Sequence, residues 1–159
     1  MTKRLTHHLT YDAPMTDVAE MLADPSFREE VCEFQGARAM VSIDSDDNGM
    51  EVTIDQVQAA QGIPSFAKKF VGDEINIVQR EHWESADQGD ISVTIPGKPG
   101  EMTGTARLSE SGGVTTETVD MSVKVNIPLV GGKIEGLIVD LLLKALKAEN
   151  KVGRDYLSR

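Results

Sequence analysis

The sequence is poor in cysteine and in long apolar runs, and each shortage excludes a class of protein. Cys32 is the only cysteine among 159 residues, so no internal disulfide can form and a disulfide-stapled extracellular scaffold is excluded. We expect its thiol to be buried and inert. No stretch approaches the roughly 18 consecutive apolar residues that a membrane span requires. The start, Met1 to His8, lacks the apolar core of a signal peptide. We therefore predict a cytoplasmic protein without stable membrane insertion.

Basic residues are fewer than acidic ones, which excludes a further class. The chain has 16 Lys and Arg against 26 Asp and Glu, and its formal net charge is -10. We expect no nucleic-acid partner, because affinity for phosphates requires clustered positive charge. The stretch from Leu129 to the end differs, with six basic and four acidic residues. This surplus either complements the negative end of a helix, which we favour, or forms a face for anionic lipid or an acidic partner.

The last stretch of the chain, Leu129 to Leu157, has the pattern of one long amphipathic helix. Apolar residues recur there with helical spacing on one side, and lysines lie opposite. Such a helix is roughly 40 Å long, which is more than a small domain needs to shield one side of a sheet. The apolar side consists of Ile134, Leu137, Ile138, Leu141, Leu142, Ala145, Val152 and Tyr156.

The rest of the chain predicts one strand, two short helices and six strands. Residues 4–11 alternate, and residues 15–23 and 25–34 have helical spacing on either side of Asp24-Pro25. From Ala37 the period becomes two, with a hairpin turn at Asn48-Gly49 and a helical turn expected over 65–70. The later strands are expected over 73–84, 90–95, 101–109 and 114–127. Such a meander has one apolar face, and the long helix is the available cover.

This order resembles the START-like helix-grip superfamily, which includes the birch-pollen-allergen-like proteins and polyketide cyclases. The resemblance lies in the opening strand running into residues 11–25, in the paired helices ending at Gly36, and in residues 127–135. The Pro-Leu-Val-Gly-Gly-Lys-Ile-Glu opening of the last helix and Pro-Ser-Phe at 64–66 are similar to an actinobacterial family of unknown function within it. The resemblance implies an α+β fold, with a curved antiparallel sheet of about seven strands around a long C-terminal helix, in one domain over residues 1–159.

The same resemblance leads us to expect a binding protein without a cofactor or a metal. Its ligand is expected to be a small hydrophobic or lipid-like molecule held in a cavity between the sheet and the last helix. A polar side chain such as His7 or Arg80 then fixes one end of the ligand. The expected lining comprises His7, Leu9, Val52, Ile54, Phe66, Phe70, Ile77, Arg80, Trp83, Val93, Leu108, Met121, Val123, Leu137, Leu141 and Leu142.

Two local patterns suggest metal ligands but have simpler interpretations. Residues 44–55 satisfy most ligand positions of a calcium-binding EF-hand loop. Their flanks alternate with period two rather than forming helices, so we interpret them as a hairpin. His7 and His8 are adjacent on a strand and therefore point to opposite faces, which argues against a shared zinc ion.

Carboxylates on the apolar side of the last helix leave three interpretations open. Glu149 projects into that side and Glu135 lies at its edge. Glu149 overhangs the sheet and stays in water, or it pairs with Arg28 or another base, or burial raises its pKa and makes it a general acid or base. The last option belongs to an alternative function, an enzyme of polyketide-cyclase or hydrolase type using His7 or a carboxylate.

The wide apolar side of the last helix supports a third function. Val139, Leu143 and Leu146 extend that side beyond what one flat contact covers. This arrangement suits a non-ligand-binding interaction protein that forms a homodimer through the helix.

Overall fold

The computed structural model describes residues 2–60 and 62–159. Seven strands form one antiparallel sheet in the order β1-β7-β6-β5-β4-β3-β2. The elements in chain order are β1 (Thr2–Tyr11), α1 (Met15–Leu22), α2 (Pro25–Phe34), β2 (Arg38–Asp46), β3 (Gly49–Ala59), α3 (Ser65–Val71), β4 (Glu74–Ser85), β5 (Gln88–Thr94), β6 (Glu101–Ser111), β7 (Val114–Lys124) and α4 (Gly131–Leu157). The predicted α+β helix-grip order is confirmed, including the six-strand meander. The first strand pairs with the last.

Local chemistry explains where the short helices begin and end. The Asp24 carboxylate accepts a hydrogen bond from the Ser26 backbone N–H at 2.9 Å, and Pro25 occupies the first turn of α2. Both features favour a helix start. Gly36 has a φ of 75°, a left-handed conformation that suits glycine and stops the helix. The two-helix prediction over this region is confirmed.

The final helix begins two residues later than predicted, and the strand before it ends earlier. β7 ends at Lys124 instead of Ile127, and α4 begins at Gly131 instead of Leu129. Leu129 has a left-handed φ of 71° and is fully exposed, which breaks any regular element at this point. The Glu135 carboxylate accepts a hydrogen bond from the backbone N–H of Val125 at 2.8 Å and so ties α4 to the end of β7.

One face of the sheet is turned towards α4, and we call it the inner face. Cross-strand neighbours fix which residues it carries, since residues directly opposite one another share a face. Val52, Glu81 and Ile91 are such neighbours on β3, β4 and β5. Leu9, Glu117 and Leu108 are the corresponding set on β1, β7 and β6. Each set thus places one carboxylate among apolar residues.

The C-terminal half of α4 approaches the sheet closely. Gly153 is buried, and a Cβ built there comes within 2.7 Å of the Tyr11 ring and 3.1 Å of Met21. A larger residue at this position therefore displaces α4 from β1 and α1. Among the described residues, no helix is long and apolar enough to cross a membrane.

The remainder of α4 is covered less completely. Its fully buried residues are Gly131, Glu135, Ala148 and Gly153, whereas its leucines, isoleucines and valines are half-buried or, for Leu141, 43% exposed. The lysines at 133, 144, 147 and 151 are exposed on the other side, in agreement with the predicted amphipathic helix.

Candidate functional site: an interior carboxylate cluster

Four charged side chains meet between the inner face and the helices, and we call them the interior cluster. Arg28 comes from α2, Glu81 from β4, Glu117 from β7 and Glu149 from α4. The first three are about as buried as the apolar core, with 3% of each exposed. The Glu149 side chain retains 14% exposure. Buried ionisable groups require partners, so their contacts decide what the cluster can do.

Arg28 and Glu81 form a paired core. Nη1 and Nη2 of Arg28 each donate to one Glu81 oxygen at 2.9 Å, and Nε donates to the Leu22 carbonyl at 2.9 Å. Trp83 Nε1 also donates to Glu81 at 2.8 Å, and the Gln79 amide donates to its other oxygen. Burial raises the pKa of Glu81, but the Arg28 charge and these hydrogen bonds outweigh it, so the pKa lies below its ordinary value. This carboxylate is ionised and fully satisfied.

Glu117 and Glu149 lack such compensation. Burial raises the pKa of Glu117 well above its ordinary value, the charges of Glu149 and Glu81 raise it further, and Arg28 opposes this in part. Burial also raises the pKa of Glu149 to about 7, with Arg28 opposing and Glu81 reinforcing the change. Glu149 Oε1 lies 3.7 Å from Arg28 Nη1, which is an ion-pair distance but too long for a hydrogen bond. Both carboxyl groups therefore keep their protons to higher pH than an ordinary glutamate, Glu149 up to about pH 7.

Two further titratable groups face the cluster. Burial raises the pKa of Tyr11 above its ordinary value, as do the charges of Glu149 and Glu117. The Asn150 amide opposes this rise, although it donates its hydrogen bond to the Thr10 carbonyl at 3.1 Å. Cys32 is buried, as predicted, and burial raises the pKa of its thiol to about 11. The thiol is therefore protonated and a poor nucleophile.

Most of the predicted lining residues lie on the inner face or on the helices that face it. The sheet residues among them, other than Arg80, are buried or, for His7 and Ile77, half-buried. Burial and the nearby charge of Lys147 lower the pKa of His7. Of the helical residues, Leu141 is exposed and the others are half-buried: Phe66, Phe70, Leu137 and Leu142.

Arg80 is the exception, and its placement differs from the expected one. Neighbouring residues of a strand point to opposite faces, so Arg80 lies on the outer face when Glu81 lies on the inner one. There it is exposed and lines an outer groove of about 480 Å³ together with His82 and Asp90. Arg80 therefore cannot fix a ligand that sits between the sheet and α4.

The N-terminal half of α4 lies beside α3. Lys133 Nζ is 6.0 Å from the centre of the Phe66 ring, and Phe66 and Phe70 are half-buried. The segment predicted to form a helical turn is thus a seven-residue helix, one aromatic residue of which lies near the start of α4.

The two metal-like patterns have the simpler structures expected for them. Residues 44–55 form the β2–β3 hairpin, in which Asp46 accepts a hydrogen bond from the Asn48 backbone N–H at 2.7 Å. His8 lies on the outer face beside Thr118, opposite to His7. Within residues 2–60 and 62–159, no group of three or more His, Cys, Asp or Glu side chains is placed to hold a metal ion.

Glu81 and Glu117 are the site residues that the sequence analysis missed. A signal for both was present, because Glu81 has the same alternation parity as Ile77 and Trp83, and Glu117 has that of Val119. A charged residue at an inward position of a strand is unusual unless it is paired. Glu149 combines two of the three interpretations, because it lies at ion-pair distance from Arg28 and burial still raises its pKa to about 7.

Two solved structures share this fold at low sequence identity. The Zhui aromatase/cyclase from Streptomyces sp. R1128 has a TM-score of 0.71 at 14% identity, over 100% of this chain and 95% of that one. Norcoclaurine synthase from Thalictrum flavum has a TM-score of 0.65 at 15% identity, over 100% of this chain and 88% of that one. Both confirm the START-like helix-grip fold.

Sequence comparison identifies the family. The uncharacterized protein Rv0481c of Mycobacterium tuberculosis (strain ATCC 25618 / H37Rv) is 30% identical over 113 residues, which is 67% of this chain. The chain spans 64% of the length of that curated relative. A family model described as "Protein of unknown function (DUF2505)" matches residues 6–157. The chain therefore belongs to the DUF2505 family, and the expected membership of a family of unknown function within the helix-grip class is confirmed.

Proposed function

We propose that the protein, as a single domain, binds or carries a small hydrophobic or lipid-like molecule between the inner face and α4. The observation that carries this proposal is the incomplete burial of α4. Within α4, all of which the structure describes, none of the leucines, isoleucines or valines is fully buried. A helix that only completes a hydrophobic core buries its apolar side. The apolar side of α4 is wide enough to be buried in this way, but it is not.

The facing sheet supports the same proposal. Ile77, Ile91 and Ile95 are only half-buried, although they belong to the same apolar surface as the core. A ligand lying between these residues and α4 covers both surfaces at once. Removing about 200 Å² of apolar surface from water contributes about 5 kcal/mol, before the cost of association.

Two measurements test this function. Native mass spectrometry of the purified protein, before and after denaturing extraction, detects a small molecule that copurifies with it. Fluorescence titration with diphenylhexatriene, a neutral apolar probe, measures binding directly. We expect saturable binding at one site.

A pair of variants on α4 locates the bound probe. Leu142→Trp adds bulk on the half-buried side and should weaken probe binding at least tenfold. Asp140→Trp adds the same side chain on the exposed side and should leave binding unchanged. The proposal is abandoned if the native protein neither carries a small molecule nor binds the probe, or if both variants bind it as the native chain does.

One observation favours an enzyme as the second candidate. Glu149 has a pKa raised to about 7 and lies beside a guanidinium, which is a suitable arrangement for proton transfer near neutral pH. Hydrolysis of a p-nitrophenyl ester offers a simple assay for the hydrolase form of this candidate. If Glu149→Gln abolishes turnover and leaves probe binding intact, the result supports an enzyme that uses Glu149. If turnover survives both Glu149→Gln and His7→Ala, neither residue is the catalytic group.

A further inference from the structure

The interior cluster contains more negative groups than positive ones. Three carboxyl groups, Glu81, Glu117 and Glu149, surround the single guanidinium of Arg28. That guanidinium is hydrogen-bonded to Glu81, because both of its terminal nitrogens donate to the Glu81 carboxylate. Within residues 2–60 and 62–159, no cation is hydrogen-bonded to the remaining two carboxyl groups.

Hydrogen bonding shows the same deficit. Oε1 of Glu117 is completely buried and has no hydrogen-bond partner among the described residues. An unsatisfied buried oxygen costs about 1–3 kcal/mol, so a native interior retains one only where something compensates. The charge of the neighbouring Glu149 acts on Glu117, and the Glu149 side chain keeps 14% exposure.

We propose that Glu117 and Glu149 bind the protonated amine of an amphipathic ligand whose apolar part lies along α4. This inference rests on the proposed function and names the chemical class of its ligand. An ammonium group supplies up to three N–H donors and one positive charge, which are the two properties that the cluster lacks. Its burial is compensated because two carboxylates accept from it.

Other head groups fit the same position less well. A carboxylate head meets three carboxyl groups and an arginine whose donors are in use, so repulsion opposes its entry. A hydroxyl head can donate to Glu117 but leaves the charge imbalance unchanged. The groups that face Glu149 from the surrounding elements are Arg28 and Cys32 on α2, Tyr11 on β1, Glu81 on β4 and Glu117 on β7.

Binding of a cation must also change the protonation of the cluster. Burial raises the pKa of Glu149 to about 7, so this group is partly protonated at pH 7, and burial also raises the pKa of Glu117 well above its ordinary value. A nearby positive charge lowers the pKa of both, so binding of an amine releases protons to the solvent. A neutral head group produces no such release.

Three ligands with the same chain and different head groups test the inference. Octylamine, octanol and octanoate each displace diphenylhexatriene from the native protein at pH 7 in parallel titrations. We expect octylamine to bind at least tenfold more tightly than octanol, and octanoate to bind most weakly. Calorimetry in two buffers of different ionisation enthalpy should show that octylamine, but not octanol, releases about 0.5–1.5 protons.

Variants assign the effect to the two carboxyl groups. Glu117→Gln and Glu149→Gln should each reduce the preference for octylamine over octanol by at least fivefold, while Asp140→Asn, on the exposed side of α4, leaves it unchanged. Circular dichroism confirms that each variant is folded. The proton count uses the native chain and so decides the question even if a variant does not fold.

The outcomes separate this inference from the function on which it rests. Equal binding of octylamine and octanol, or tighter binding of octanoate, overturns the amine site while the binding function stands. Octylamine binding without proton release also overturns it. Absence of binding by the probe and by all three ligands overturns both.

Discussion

Replacing Glu149 by glutamine should change how the stability of the protein depends on pH. Burial raises the pKa of this carboxyl from its ordinary value of 4.5 to about 7 in the folded chain. Between these two values the folded protein binds more protons than the unfolded chain, so stability falls as pH rises. The stabilising contribution is complete below about pH 4.5 and is lost as pH rises through about 7. Above that range the Glu149 carboxylate is ionised in both states. The ionised group has a lower free energy in the unfolded chain, where water surrounds it.

The size of this effect follows from the two pKa values. The difference between 4.5 and about 7 corresponds to about 3 kcal/mol, since one pKa unit is worth about 1.4 kcal/mol. The 14% exposure of the side chain admits some solvent screening, which makes this an upper figure. Glu149→Gln keeps the shape of the side chain and cannot ionise. We therefore expect the variant to gain up to about 3 kcal/mol over the native chain at pH 8 and little at pH 4.5.

Urea denaturation at several pH values between 4.5 and 8.5, followed by circular dichroism, measures the difference. Asp140→Asn serves as the control, because it removes a carboxylate from the exposed side of the same helix. The control should follow the native curve. If Glu149→Gln runs parallel to the native protein over the whole range, the pKa of Glu149 is not raised in the folded protein and the prediction is refuted.

Two other predictions concern the packing of the interior. Arg28→Met leaves Glu81 buried without its cation and should lower the free energy of unfolding by about 3–5 kcal/mol. Adding Glu81→Leu should restore most of this loss. A double-mutant cycle in urea measures the coupling between the two residues, and additive losses would contradict the prediction. Gly89→Ala places a Cβ 2.6 Å from the Trp83 ring and should lower the free energy of unfolding by about 1–3 kcal/mol. Gly132→Ala is the control, because its Cβ meets no described neighbour within 4 Å, and it should not destabilise the protein. Equal melting temperatures of the two variants would show that the indole moves aside freely.

The sequence predicts the element order because its periods change sharply. Alternation over the strands, helical spacing over α4 and the Asn48-Gly49 turn each depend on neighbouring residues only, so they are visible without a structure. The same alternation places Leu9, Val52 and Met121 on the inner face. It also places Arg80 on the outer face when Trp83 lies on the inner face, since the two residues are three positions apart on one strand. The prediction of Arg80 as a lining residue overlooked this rule.

The interior cluster could be predicted only in part. Its members are separated by 32 to 121 positions along the chain, and their meeting depends on how α2 and α4 sit on the sheet. Helical spacing places Glu149 on the apolar side of α4, but it cannot choose between solvent, an arginine partner and an unpaired interior. That choice requires the position of Arg28, which is a property of tertiary packing.

Trp83 gives the interior cluster an optical signal of its own. It is the only tryptophan in the chain, it is 3% exposed, and its indole N–H donates to the same carboxylate that binds Arg28. Its ring packs over Gly89, so its surroundings are fixed on that side. The emission of an indole responds to nearby charge and to water, and here the nearest charges are those of the cluster. Intrinsic fluorescence of the unmodified protein can therefore follow protonation and occupancy of the interior without a label.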